Sequence, residues 1–253
     1  GIDQKFKITP AQLEAAITPK TRALILCSPS NPTGAVYSKQ ELAALAEVIL
    51  RHDDIIVISD EIYEHINYVG AHASIAQVPG MKERTVIING VSKAYAMTGW
   101  RIGFIAAPEW IVKGCNKLQG QYTSGPCSVS QIAAANAFSG NQQCVEDMRK
   151  AFERRKKLIV KLCQETPGFE INEPEGAFYV FPKVSSYFGK SYNGEVIKDN
   201  MDLAMFLLNV GHVATVGGGA FGDSDCLRMS YATSDENITE AMKRINKALA
   251  LLK

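Results

Sequence analysis

The sequence lacks the features that mark several protein classes. It has no apolar run long enough to cross a membrane, and its first residues show no signal-peptide pattern. Its formal net charge is only +1, which gives no electrostatic footprint for nucleic acid or an anionic membrane. It also has no C-x-x-C pair and no Cys/His cluster that would frame a metal. We therefore expect no metal, nucleic-acid or membrane partner.

The composition is that of a globular protein. Of 253 residues, 46% are hydrophobic and 21% are charged, which is enough to bury one large core or two smaller ones. The cysteines are scattered, and we expect free thiols in a reducing cytoplasm, although their even number also permits a disulfide. They are Cys27, Cys115, Cys127, Cys144, Cys163 and Cys226.

The first half of the chain alternates predicted strands and helices. Capping boxes begin helices after Thr9 and after Ser38, and apolar runs at 23–27, 55–61, 85–89 and 102–108 predict strands. The run at 55–61 is expected to be fully buried. This alternation predicts an α/β fold with a mostly parallel sheet. Polar residues follow three of the strands, and we expect Asn31, Asp60 and Lys93 to meet at one edge of that sheet.

Each of these polar residues has an ordinary and a functional interpretation. Lys93 could be a surface lysine, or a desolvated amine that attacks a carbonyl as a Schiff-base nucleophile. Ser92 and Arg101 flank it and suit a phosphate, which favours a phosphorylated aldehyde cofactor. Asp60 could form a structural salt bridge, or could keep a pyridine nitrogen protonated.

Three further candidates carry the same ambiguity. Tyr63 could be a core aromatic or could bond an oxygen on the cofactor ring. Asn31 could cap its own turn. Arg228 is flanked by apolar residues, so it needs an anion, which could be an internal acid or a substrate carboxylate.

The second half has a different character. Helical periodicity runs from 128 to about 165 with a break at Ser139 and Gly140, and its RRKK run is expected to be a solvated face. Short strand candidates follow in FEI, GAFYVF, VATV and CLRMSYA, with a helix near 202–209 and another after Ser234. We predict part of a large domain at 1–140, a connecting helix at 141–165 and a smaller α+β domain at 166–253.

Four motifs in this order resemble one family. SPSNPTG, SDEIYE, SKAYAMTGWRIG and RMSYATS are similar to those of the pyridoxal-phosphate-dependent aminotransferases of fold type I, class I/II, and the bacterial aspartate aminotransferase branch is the nearest match. The resemblance implies that Lys93 carries the internal aldimine and Asp60 pairs with the pyridine nitrogen. Tyr63 and Asn31 would bond the ring oxygen, Ser92 and Arg101 the phosphate, and Arg228 with Asn31 the substrate α-carboxylate.

The resemblance also implies an activity in amino-acid metabolism. An amino group would move from an L-amino acid, by nearest resemblance aspartate, to a 2-oxo acid, by the same guess 2-oxoglutarate, with ping-pong kinetics. A cytoplasmic homodimer with sites at its interface is implied too. Two alternatives remain open: a pyridoxal-phosphate lyase acting at the β or γ carbon, and an aminotransferase-like effector domain of a transcription regulator. A catalytically dead scaffold is disfavoured because the key residues are present.

Two departures from the family pattern bear on these expectations. Members carry a long portion before KFKI, so we expect this chain to be the carboxyl-terminal part of a longer enzyme. We also expect an exposed sheet edge, weak cofactor binding and poor transamination from this chain alone. In VGGGAFG, at 216–222, Gly217 stands where a proline is usual, which puts the conformation of that loop in doubt.

Overall fold

The computed structural model describes residues 1–253 and divides them into two compact units. Unit 1 comprises Gly1–Phe6, Ser30–Ala35 and Lys150–Lys253, and unit 2 comprises Lys7–Pro29 and Val36–Arg149. Each unit contains its own cluster of buried apolar side chains. None of the helices combines the length and the apolar composition that a membrane span needs.

Unit 2 is built on a four-stranded sheet in the order β1-β2-β3-β4. The strands are β1 Ala23–Cys27, β2 Ile56–Asp60, β3 Thr85–Gly90 and β4 Gly103–Ala106. The first three are parallel, and β4 runs antiparallel to β3. The prediction of an α/β fold with a mostly parallel sheet is therefore confirmed.

The helices of unit 2 begin where the capping patterns indicated. Thr9 and Ser38 each accept a hydrogen bond from the backbone N–H three residues on, and both capping boxes are complete. Helix α3 was not predicted, because none of its side chains is buried and it has no core-facing stripe. The helices are α1 Pro10–Ala16, α2 Lys39–Ile49, α3 Glu109–Tyr122, α4 Ser128–Ser139 and α5 Gln143–Gln164, the last of which ends in unit 1.

The two faces of this sheet differ in burial. Leu26 and Val57 are buried in the apolar cluster that α2 covers, whereas Ile25 and Ile88, on the other face, are 73% and 37% exposed. The expectation that 55–61 is fully buried is wrong, because only alternate residues of β2 face the cluster. Parallel sheets normally have both faces covered, so this open face, on which Asp60 lies, is unusual.

Unit 1 contains helices α6 Asn200–Asn209 and α7 Asp235–Leu249 and several short antiparallel strands. The sequence segment FEI, predicted as a strand, supplies only an isolated bridge between Glu170 and Lys183. The strands are β5 Tyr179–Val180, β6 Ser191–Tyr192, β7 Glu195–Val196, β8 Val216–Gly217 and β9 Leu227–Ser230. Short 3-10 helices occupy Ile2–Gln4, Ile75–Gln77, Lys82–Arg84, Thr98–Trp100, Ser185–Tyr187 and Gly218–Phe221.

Two neighbouring leucines of α6 differ in how far they are buried in the core of unit 1. Leu207 is fully buried, whereas Leu208 is 43% exposed. We expect Leu207→Ala to lower the free energy of unfolding by about 2–5 kcal/mol, because it removes buried methyl groups and leaves a cavity. Leu208→Ala, the matched control, should change it by roughly 0.5 kcal/mol or less. Urea unfolding followed by circular dichroism measures both, and equal effects would contradict the assigned core.

Candidate active site

Lys93 lies in a loop whose two ends are held close together. The loop joins β3 to β4, and Gly90 at the end of β3 pairs directly with Gly103 at the start of β4. A Cβ at Gly90 would lie 2.8 Å from the carbonyl oxygen of Ile102, so only glycine allows this approach. The constriction keeps Ser92 and Arg101, two residues from either end, at the same edge of the sheet.

Asp60 and Tyr63 lie beside this loop. Asp60 ends β2, and in the parallel register it is level with Ile88 of β3. Its Oδ1 accepts a hydrogen bond of 3.2 Å from the backbone N–H of Ile62. Tyr63 is only 3% exposed, and its ring centroid lies 5.9 Å from the Nζ of Lys93. A carboxylate, a phenol and an amine thus share the carboxyl ends of two neighbouring strands, where α/β sheets bind ligands.

Arg101 has an unusual backbone conformation for a residue that is not glycine. It follows the 3-10 helix Thr98–Trp100 with a φ of 52°, in the left-handed region. Its Nη1 donates a hydrogen bond of 2.9 Å to the carbonyl oxygen of Thr98, and its side chain is otherwise exposed. Such strain is concentrated at ligand-binding sites, where the surrounding structure maintains it.

A buried carboxylate that the sequence did not single out supports the segment after β2. Glu61 is 4% exposed and accepts hydrogen bonds from Ser59 Oγ at 2.9 Å, Ser74 Oγ at 2.5 Å and His72 Nε2 at 2.8 Å. These donors offset the cost of burying a charge. They also tie the segment after Asp60 to residues 72–74. One carboxylate oxygen each of Glu61 and Glu64 and one ring nitrogen of His72, atoms of the kind that bind metals, lie within 4.8 Å of one another.

Glu64 and His65, which also follow β2, form an ion pair beside Tyr95. His65 Nε2 is 3.2 Å from Glu64 Oε1, and its ring meets that of Tyr95 edge to face at 6.2 Å. The hydrogen bond to Glu64 raises the pKa of His65, and the same bond lowers the pKa of Glu64. Both groups are therefore charged at mildly acidic pH.

In unit 1, Asn31 and Arg228 are in direct contact although 197 residues separate them. Arg228 Nη1 donates a hydrogen bond of 3.0 Å to Asn31 Oδ1. The central carbon of the guanidinium lies 4.8 Å from the centroid of the Tyr179 ring and 4.8 Å from that of the Phe221 ring. Arg228 contacts an amide oxygen and two aromatic rings here, so of the two anions that the sequence left open, an internal acid is not its partner. Such a guanidinium can still bind a carboxylate through its fork.

The family model for aminotransferase class I and II matches residues 2–245. The chain belongs to this family. Its sequence is 48% identical to the bifunctional aspartate aminotransferase and glutamate/aspartate-prephenate aminotransferase of Petunia hybrida, over 100% of this chain and 54% of that protein. It is 48% identical to the aspartate aminotransferase of Geobacillus stearothermophilus, over 98% of this chain and 62% of that one.

The fold agrees with that of a solved aminotransferase. The aspartate aminotransferase of Rhizobium meliloti superposes with a TM-score of 0.95 at 44% identity, covering 100% of this chain and 64% of that chain. The present chain thus spans between about half and two thirds of the length of the proteins it matches. The prediction of a partial fold type I aminotransferase fold is confirmed.

The residues of this chain fit the family's cofactor, pyridoxal phosphate. The cofactor has an aldehyde, a basic ring nitrogen and a phosphate, and the site offers an amine, a carboxylate, and a hydroxyl with a guanidinium. Lys93, Asp60, and Ser92 with Arg101 are these groups, all in unit 2. The constriction at Gly90 leaves no room for a side chain where the two ends of the loop meet.

Three groups beside the predicted residues were missed. Glu61 gave a weak signal as the second acid of SDEIYE, because a carboxylate next to a buried strand needs donors. Tyr179 was visible only as part of an aromatic strand, GAFYVF. Phe221 lies in a glycine-rich loop that carries no signal of its contact with Arg228.

The Glu64–His65 pair predicts a pH dependence of stability. The raised pKa of His65 stabilises the fold below its ordinary value of 6.5, and this is lost as the pH rises through the folded pKa. The lowered pKa of Glu64 stabilises above 4.5. His65→Phe, which retains a ring beside Tyr95, should therefore cost more unfolding free energy at pH 5.5 than at pH 8. Urea unfolding at both pH values measures this, and equal costs would contradict the pairing.

Proposed function

We propose that the protein containing this chain is an aminotransferase that moves an amino group from aspartate to 2-oxoglutarate. The observation that carries the proposal is the position of Lys93, whose amine lies over the buried Tyr63 ring where β2 and β3 end. The names of the relatives support the amino donor, since aspartate appears in those of both plant and bacterial relatives. Two half-reactions through one cofactor give ping-pong kinetics.

Pyridoxal phosphate, when bound, supplies an aldehyde that condenses with amines and a ring that accepts electrons from the substrate α-carbon. We assign Asp60 to its ring nitrogen, where a carboxylate keeps that nitrogen protonated. Tyr63 and Asn31 are assigned to the ring oxygen. Ser92 and Arg101 are assigned to the phosphate, for which a hydroxyl and a guanidinium are suitable donors.

Lys93 has two proposed tasks. Its Nζ holds the cofactor between turnovers, and after a substrate amine has taken that place it acts as the general base. It removes the proton from the substrate α-carbon and carries that proton on its Nζ.

Arg228 is assigned to the substrate α-carboxylate, with Asn31. The rings of Tyr179 and Phe221 both contact the guanidinium, and the N–H groups that they do not engage can bind an anion. One Nη already donates to Asn31 Oδ1, so the two side chains form a single unit. A planar fork held in this way pays little conformational entropy when a carboxylate arrives.

The assembly and domain organisation are proposals too. Trp110 and Tyr122 of α3 and Ile132 of α4 are 66%, 84% and 65% exposed, an apolar surface that supports a homodimer. We propose that unit 2 belongs to the large cofactor-binding domain and that residues 166–253 form the small domain. None of the six cysteines forms a disulfide, which is consistent with a reducing cytoplasm.

In the experiment, the full-length protein is loaded with pyridoxal phosphate and given aspartate and 2-oxoglutarate. We expect oxaloacetate and glutamate in equal amounts. Lys93→Ala should lower the rate by at least about 10²–10⁴-fold, because it removes the general base. Lys20→Ala, an exposed lysine elsewhere in unit 2, is the matched control and should retain activity.

The same experiment separates the alternatives. Ammonia and pyruvate in place of paired oxo and amino acids would identify a lyase and contradict the proposal. Prephenate, which the Petunia relative's name includes, is tested as a second amino acceptor. A protein that consumes no amino acid under any of these conditions would contradict an enzymatic role.

A further inference from the structure

Phe221, one of the two rings on Arg228, belongs to a loop that needs support to hold it there. The ring lies at the end of the 3-10 helix Gly218–Phe221, between β8 and β9. Besides Arg228, the Phe221 ring contacts the ring of Phe181, with the two centroids 6.2 Å apart and the ring planes nearly perpendicular. Since Arg228 lies on β9 itself, a shift of this loop would move one ring off the guanidinium while the strand stayed in place.

A single side chain outside the loop connects both of its ends. Asn200, the first residue of α6, is 6% exposed. Its Oδ1 accepts a hydrogen bond of 3.3 Å from the backbone N–H of Gly219, and its Nδ2 donates one of 2.7 Å to the carbonyl oxygen of Ser224. Phe221 lies between these two attachment points. The amide of Asn200 thus acts as a brace across the segment that carries the ring.

The brace depends on the glycine at 217. A Cβ at Gly217 would lie 2.4 Å from Asn200 Oδ1, so any side chain there would displace the amide. Gly217 has a φ of −58°, which every residue type can adopt. The backbone conformation therefore does not require glycine, and the space taken by Asn200 does. The space taken by Asn200 thus accounts for glycine at 217, where a proline is usual in the family that the sequence resembles.

We propose that Asn200 is a positioning residue for the substrate carboxylate: it braces residues 219–224 so that Phe221 holds the Arg228 guanidinium, and Gly217 supplies its space. The inference rests on the proposed function, in which Arg228 binds that carboxylate. Asn200 acts through the loop and through Phe221, without touching the substrate. It should govern the affinity for carboxylates more than the rate of proton transfer at Lys93.

The test uses the full-length protein loaded with pyridoxal phosphate and the dicarboxylate maleate as the probe. Asn200→Ala should raise the Kd for maleate and the KM for aspartate about tenfold, with a much smaller change in kcat. Hydrogen exchange should show faster exchange at the Gly219 amide. Asn200→Asp keeps the acceptor for Gly219, so it should retain that protection and lose affinity less. Asn209→Ala, at the exposed end of α6, is the matched control.

A double-mutant cycle tests the pairing with Gly217. Gly217→Ala should raise the maleate Kd as Asn200→Ala does, because its methyl group displaces the amide. Since both changes remove the same brace, the double variant should be no weaker than either single one. Additive effects would overturn the pairing. If Asn200→Ala fails to fold, Asn200→Asp and Gly217→Ala still decide the matter.

The outcomes also separate this inference from the proposed function. If the wild type binds maleate and transaminates aspartate while Asn200→Ala and Gly217→Ala bind maleate equally well, the brace is wrong and the function stands. If the wild type neither binds maleate nor transaminates, the proposed function fails, and with it the inference. A loss of kcat at unchanged KM in Asn200→Ala would overturn the positioning role.

Discussion

The parallel register between β2 and β3 determines where the candidate site of unit 2 lies. It pairs Asp60 with Ile88, so the carboxylate at the end of β2 lies level with the last residues of β3, the strand that leads to Lys93. Val57, on the opposite face of β2, is fully buried and fixes this arrangement. A slip of one residue would expose Val57 and turn Asp60 toward the apolar cluster, so hydrophobic burial specifies the position of the candidate site residues.

Unit 1 handles charge in a different way. Unit 2 buries the carboxylate of Glu61 among hydroxyl and imidazole donors, whereas unit 1 places the guanidinium of Arg228 against two aromatic rings with a single amide partner. Full hydrogen bonding makes Glu61 a structural anchor. A cation that is stacked on ring faces keeps donors on its edge, which suits the capture of a substrate anion. Burial and partner type thus distinguish the structural charge of Glu61 from the charge of Arg228, for which we propose a binding role.

Much of the fold follows from local patterns in the sequence, and the rest depends on contacts between distant residues. The capping boxes at Thr9 and Ser38 were predictable because each lies within four residues. The brace of Asn200 and the bond from Asn31 to Arg228 span large separations, and no local signal carries them. Helix α3 was not predicted, and none of its residues is buried. The apolar run of β2 predicted full burial, because such a run does not reveal that one face of the sheet is open.

The central claim is that Lys93 is the amine that holds pyridoxal phosphate. The most direct measurement is borohydride reduction of the full-length protein loaded with pyridoxal phosphate, followed by peptide mapping of the labelled residue. The account predicts one equivalent of label on the peptide that contains Lys93, and a visible absorbance band that disappears on reduction. Label spread over exposed lysines, or none on Lys93, would contradict it.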